Sequence, residues 1–170
     1  MRGLVRQGHV HMALMSRNDA SPVLADMDFT RLFHDDFVAV VPEGHALSPR
    51  KGTSFAELAR HPLLLNPKGV DLREMLERLF HAEALVPRVA QELIGTHALV
   101  ALVAAGFGVS IQPRMALSGL DMQGCSVLKL RGGAGREIGV MLPARRSHAP
   151  ATHGVQGVPA EQGKAGALHG

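Results

Sequence analysis

Residues 99–113 read LVALVAAGFGVSIQP, and Gly106 and Gly108 stand one residue apart between two apolar runs. What precedes those glycines decides the fold. A dinucleotide-binding loop needs a strand, then the glycines, then a helix whose free N–H groups face a pyrophosphate. Here the order is reversed. In the preceding segment THALVALVAA, apolar residues at 99, 100, 102 and 103 keep the three-to-four spacing of a helix, whereas Val109 and Ile111 alternate as in a strand. Thr96 is placed to cap the helix by accepting from a first-turn N–H. Gly106 suits the left-handed position just past a helix end. The stretch is therefore expected to be a helix that stops and drops straight into a strand, not a phosphate loop.

Upstream, elements of both kinds alternate. FVAVVP, 37–42, is a predicted strand that ends in the turn Pro42-Glu43-Gly44-His45. Ser54 and Glu57 form a capping box, each side chain satisfying the other's backbone donor, and it opens a short helix ended by His61-Pro62. LLLN, 63–66, reads as a buried strand leaving through the loop Asn66-Pro67-Lys68-Gly69. Asp71 begins a helix through about Ala84 with Leu72, Met75, Leu76, Leu79 and Phe80 on one face, and a strand is expected near 88–94. This block is α/β with crossover connections. Outside it, 10–15 is a short strand-like run and 114–118 a short helix. The segments 126–131 and 136–142 are predicted as a hairpin around Gly132-Gly133-Ala134-Gly135. Residues 148–170, rich in Ala and Gly with no apolar periodicity, are expected to be a disordered tail.

Composition excludes several classes of function. With 170 residues and 46% hydrophobic content the chain can bury a core in one domain or two small ones. Its 18 Lys and Arg against 15 Asp and Glu are scattered, and six Phe with no Trp or Tyr leave few stacking platforms, so the chain itself is not expected to bind nucleic acid. A single cysteine, Cys125, excludes an internal disulfide framework and a multi-thiolate metal site, and fits a reducing compartment. The start MRGLVRQGHVHMALMSR is interrupted by Gln and His and reads as no secretory signal. No apolar run approaches the roughly 18 residues of a membrane span. A cytoplasmic protein without membrane contact, metal or cofactor is expected.

From Gly8 to about Pro150 the chain resembles the C-terminal regulatory domain of LysR-type transcriptional regulators. GHVHMAL stands where that family has a glycine followed by a strand, with His11 in place of the usual Asp. LFHDDFVAVVPEGHALS resembles its crossover strand and P-x-x-H-P-L turn, with Ala46 for the usual Pro. SFAELARHPLLL, VALVAAGFGVSIQP and REIGVMLPARR are similar to its next helix and strand, its V-x-x-G-x-G-V-x-x-L-P element and its last strand. The resemblance implies a periplasmic-binding-protein-like fold: two α/β subdomains joined by two crossover strands, with a ligand cleft beside the crossovers. On that pattern residues 1–40 and 112–147 belong to the first subdomain, incomplete here, and 41–111 to the second. Val41, Pro42, Gly106, Gly108 and Pro113 fall at the hinges.

The implied function is sensing of a small, anionic metabolite as effector. The family's DNA-binding helix-turn-helix would precede Gly8, so DNA is expected to be contacted only through a part absent from this chain. Homo-oligomerisation is also expected, because a sheet lacking strands offers an unpaired edge. Candidate effector contacts are Thr96 and His97 at a helix N-terminus, Asn66, Pro67 and Lys68 at a strand end, and Ser16 and Gln112 at further strand ends. Capping alone is the plain alternative for Thr96, ordinary loop chemistry for Asn66, Pro67 and Lys68, and solvated strand ends for Ser16 and Gln112. His9 and His11 share a strand face but lack a third zinc ligand, so surface histidines are expected. A transport solute-binding protein would share the fold. A small hydrolase would draw on His34-Asp35-Asp36 or Ser110, yet no G-x-S-x-G turn accompanies them and no catalytic residue is assigned.

Overall fold

The computed structural model describes residues 11–17 and 27–143, so His9 and the tail predicted over 148–170 lie outside the described residues. It separates into two compact units, one spanning Asp35–Arg136 and the other built from the described residues on either side of it.

In the larger unit, the end of β2 (Met27–Pro42) is flanked on both edges. β6 (Ser110–Pro113) pairs with it antiparallel from Phe37↔Pro113 to Val40↔Ser110, and β7 (Cys125–Leu130) from Val38↔Lys129 to Pro42↔Cys125. β3 (Gly52–Thr53) adds a parallel pair on the far side of β7. Phe37 to Val41 are all buried because both faces are covered. Period two then assigns the faces. Phe37, Ala39 and Val41 pack with α1 (Phe55–Leu58) and α2 (Asp71–Ala82), whereas Val38 and Val40 pack with Leu99, Val100 and Val103 of α3 (Thr96–Ala104). A second, parallel pair joins β4 (Leu63–Leu65) to β5 (Val89–Glu92), and Leu63 also bridges in parallel to Val109.

The capping box stands as expected: Glu57 N–H donates to Ser54 Oγ at 3.3 Å and Ser54 N–H to Glu57 Oε2 at 3.1 Å. Helix α2 buries Leu72, Met75, Leu76 and Phe80, the predicted face, together with Arg73. The helix–glycine–strand order of 96–113 is also observed, with Gly106 at φ +82° just past α3. Gly108 has a different role. A Cβ there would meet the Pro62 carbonyl oxygen at 2.5 Å, the same oxygen that accepts from Val109 N–H at 2.9 Å. Gly108→Ala is expected to force β6 away from the Pro62 turn and cost about 1–3 kcal/mol in urea denaturation; an unchanged midpoint would show that the strand shifts freely.

In the smaller unit, β1 (Ala13–Arg17) pairs antiparallel with β8 (Gly135–Pro143), from Ala13↔Met141 to Arg17↔Glu137. The predicted hairpin is corrected here. β7 and β8 are each neighbours of β2 and not of one another. Two strand patterns joined by a glycine-rich loop announce a turn, but β2 runs over sixteen residues and offers both strands a longer partner. Strand β2 itself begins ten residues before the expected Phe37, since its polar first half carries no apolar run to mark it.

Beyond β2, Leu47 N–H donates to His45 Nδ1 at 3.2 Å, and the His61 ring stands edge-on at 4.6 Å between centroids. Burial first, and the His61 charge second, lower the His45 pKa below its ordinary 6.5. The unfolded chain therefore binds the proton more readily. The contribution of His45 to stability is complete above about pH 6.5 and is lost as pH falls through the lower folded value. Denaturation at pH 7.5 and 5.5 should show a slope that His45→Gln reduces; an identical slope in the variant would assign it to other groups.

Candidate functional site

β4, β5 and the start of β6 run in one direction, so their carboxyl ends, at Asn66, Leu93 and Gln112, gather at one end of the larger unit. Small ligands of open α/β sheets sit at such ends. Leu93 N–H donates to Leu65 O at 3.0 Å, and three residues later the chain enters α3. The N-cap of α3 is Gly95, not Thr96, and no side chain caps it. The first helical bond runs from Leu99 N–H to Gly95 O at 3.3 Å, so the N–H groups of Thr96, His97 and Ala98 precede the ladder. They provide the positive end of the helix dipole.

The Thr96 hydroxyl turns inward instead. It donates to Gln112 Oε1 at 3.1 Å, Gln112 Nε2 donates to Ser110 Oγ at 3.0 Å, and Ser110 Oγ donates to Leu64 O at 2.7 Å. Gln112 and Ser110 are both 0% exposed. A solvated strand end is thus wrong for Gln112: its backbone pairs with Val38, and its side chain closes a buried polar line. Asn66 is buried too, its Nδ2 donating to Leu93 O at 3.2 Å while its own carbonyl accepts from Arg73 Nη1 at 2.8 Å. Arg73 also donates from Nη1 to Glu92 at 2.7 Å and from Nε to Glu77 at 2.8 Å.

Of the residues singled out from sequence, Thr96, Gln112 and Asn66 are brought to one end of the unit. His97 and Lys68 are exposed beside them and Pro67 is half-buried. Ser16 lies on β1 in the smaller unit, opposite Ile138. Val41 and Pro42 face Ser126 and Cys125 in the β2–β7 ladder, and Pro113 is buried opposite Phe37. Arg73 and the Leu64 carbonyl were not singled out. An arginine beside an apolar stripe looks like a solvated flank, and a carbonyl carries no sequence signal.

None of the polar side chains considered for chemistry stands with a nucleophile and base paired among the described residues. Ser110 is bonded to an amide and a carbonyl, with no base on it. Asp35, buried, accepts from Met115 N–H at 2.9 Å and pairs with Arg136 at 3.0 Å. His34 pairs with Glu137 at 2.8 Å. His11 is exposed, and no group of three or more metal-ligating side chains occurs among the described residues. No helix among them is long and apolar enough to cross a membrane.

Residues 1–155 match the LysR substrate binding domain family. The HTH-type transcriptional regulator YnfL of Escherichia coli K12 is 31% identical over 109 residues, which is 63% of this chain and 36% of YnfL. The chain spans about a third to a half of the length of the curated relatives it matches. Solved structures that share the fold include two ligand-bound domains. The effector binding domain of QuiR in complex with shikimate has a TM-score of 0.74 at 22% identity, over 89% of this chain and 71% of that one. The Synechocystis PCC6803 CcmR regulatory domain in complex with 2-PG has 0.77 at 18%, over 91% and 74%.

Proposed function

Because this chain belongs to the LysR substrate binding domain family, we propose that it is the effector-sensing part of a LysR-type transcriptional regulator. It holds a small anionic metabolite at the carboxyl ends of β4, β5 and β6, against the start of α3. The observation that carries this is the convergence there of Thr96, Gln112 and Asn66 with the three N–H groups that open α3. Those N–H groups bind an anion without a lysine or arginine, because they are already ordered and the helix dipole adds to them. Exposed His97 and Lys68 stand beside the site to meet the ligand. The QuiR and CcmR domains, each in complex with a small ligand, support such a function on this fold.

In this proposal the protein is a cytoplasmic homo-oligomer and not an enzyme. DNA is contacted through the regulator's helix-turn-helix part, as the HTH-type relatives suggest. The family match favours this role over a transport protein or a hydrolase. Amide chemical-shift mapping with a panel of carboxylates is the test. Ligands that bind should move the resonances of residues 96–98 and Asn66 first; saturable binding that leaves them unmoved would place the effector elsewhere.

A further inference from the structure

We infer that the effector carries a hydrogen-bond donor, a hydroxyl or an amine, next to its anionic group, and that Thr96 selects it by accepting that bond. This rests on the functional proposal above. What carries it is the polarity of the buried line from Leu64 to Thr96.

A backbone carbonyl can only accept, so the Ser110 proton is committed to Leu64 O at 2.7 Å. Ser110 Oγ must then accept from Gln112, which turns the amide nitrogen toward Ser110 and Oε1 toward Thr96. Facing Oε1 at 3.1 Å, the Thr96 hydroxyl must donate inward. The reverse orientation of the amide would bring Gln112 Oε1 against Ser110 Oγ at 3.0 Å with no proton between them. Gln112 and Ser110 are 0% exposed, so no water relieves that contact. The Leu64 carbonyl therefore sets the direction of the whole line, and Thr96 is left with lone pairs alone to offer a ligand. A carboxylate oxygen against it would meet acceptor with acceptor. The anion belongs on the α3 N–H groups, and the Thr96 oxygen reads a donor beside it.

The test compares matched acids by calorimetry on the whole chain: malate with succinate, lactate with propionate, mandelate with phenylacetate. At least one hydroxylated acid should bind about tenfold more tightly than its partner. Thr96→Ser should keep that ratio and Thr96→Val bring it to about one, with the fold checked by circular dichroism. Gln112→Met frees the Thr96 hydroxyl to donate outward as well as accept, so deoxy acids gain a bond they lacked and the ratio should fall severalfold although Gln112, fully buried, touches no ligand. Ser110→Ala, which frees the Gln112 amide to turn, is the milder variant should Gln112→Met fail to fold, and an unchanged ratio in both would overturn the role of the buried line. Binding with equal or better affinity for the deoxy acids overturns the selectivity and leaves the anion site standing. Failure of all six acids to bind overturns both.

Discussion

Phe80→Ala is expected to remove about 3–5 kcal/mol of stability, measured by urea denaturation. Phe80 is fully buried on α2 and meets Phe55 of α1 edge-to-face, with ring centroids 5.0 Å apart and planes at 85°. Such a pair adds about 0.5–1.5 kcal/mol to what burial alone supplies. Both rings pack in the cluster that covers Phe37, Ala39 and Val41 of β2, so truncation opens a cavity between helix layer and sheet. α1 has only four residues and is tied down by its capping box, which limits its collapse into the gap. A loss below about 1.5 kcal/mol would mean that α2 slides to refill the space.

Arg73→Ala is the second large effect, expected at about 2–3 kcal/mol and accompanied by loss of anion binding. The Arg73 side chain is 4% exposed, while its partners Glu77 and Glu92 are 40% and 42% exposed. Without the guanidinium both carboxylates can return to water. The Asn66 carbonyl cannot, because Asn66 is buried, so the strand end that positions the site is what loses its partner. Arg73→Lys should rescue little, since one ammonium cannot reproduce a planar fork that reaches three acceptors. Glu77→Gln should change stability by well under about 1 kcal/mol, as expected for an exposed i,i+4 pair. Calorimetric titration with the acid that binds wild type, next to the denaturation curves, decides the matter: Arg73→Ala with unaltered stability and affinity would reduce the guanidinium to a bystander.

Both effects come from α2, and the two residues differ in how legible they were. Phe80 falls on the three-to-four stripe with Leu72, Met75 and Leu76, and a stripe of that spacing has to be buried. Arg73 sits beside the stripe, and nothing local reveals that Asn66 and Glu92 lie within reach of it.

By itself the sequence determined whatever neighbouring residues settle among themselves. The helix–glycine–strand order of 96–113, the Ser54–Glu57 box and the stripe of α2 depend on backbone geometry and side-chain period over a few residues. Only the tertiary structure decided who pairs with whom. β7 and β8 took β2 as their neighbour in place of each other. Gly95 is the cap of α3, and the Thr96 hydroxyl, expected to cap, is bonded to Gln112, sixteen residues further on. Asn66, Thr96 and Gln112 were nameable as polar groups at element ends, but the direction of the hydrogen bonds through them was not. That direction is set by the Leu64 carbonyl, 46 residues before Ser110, and a carbonyl that every residue carries acquires a role only when folding buries it against a particular donor.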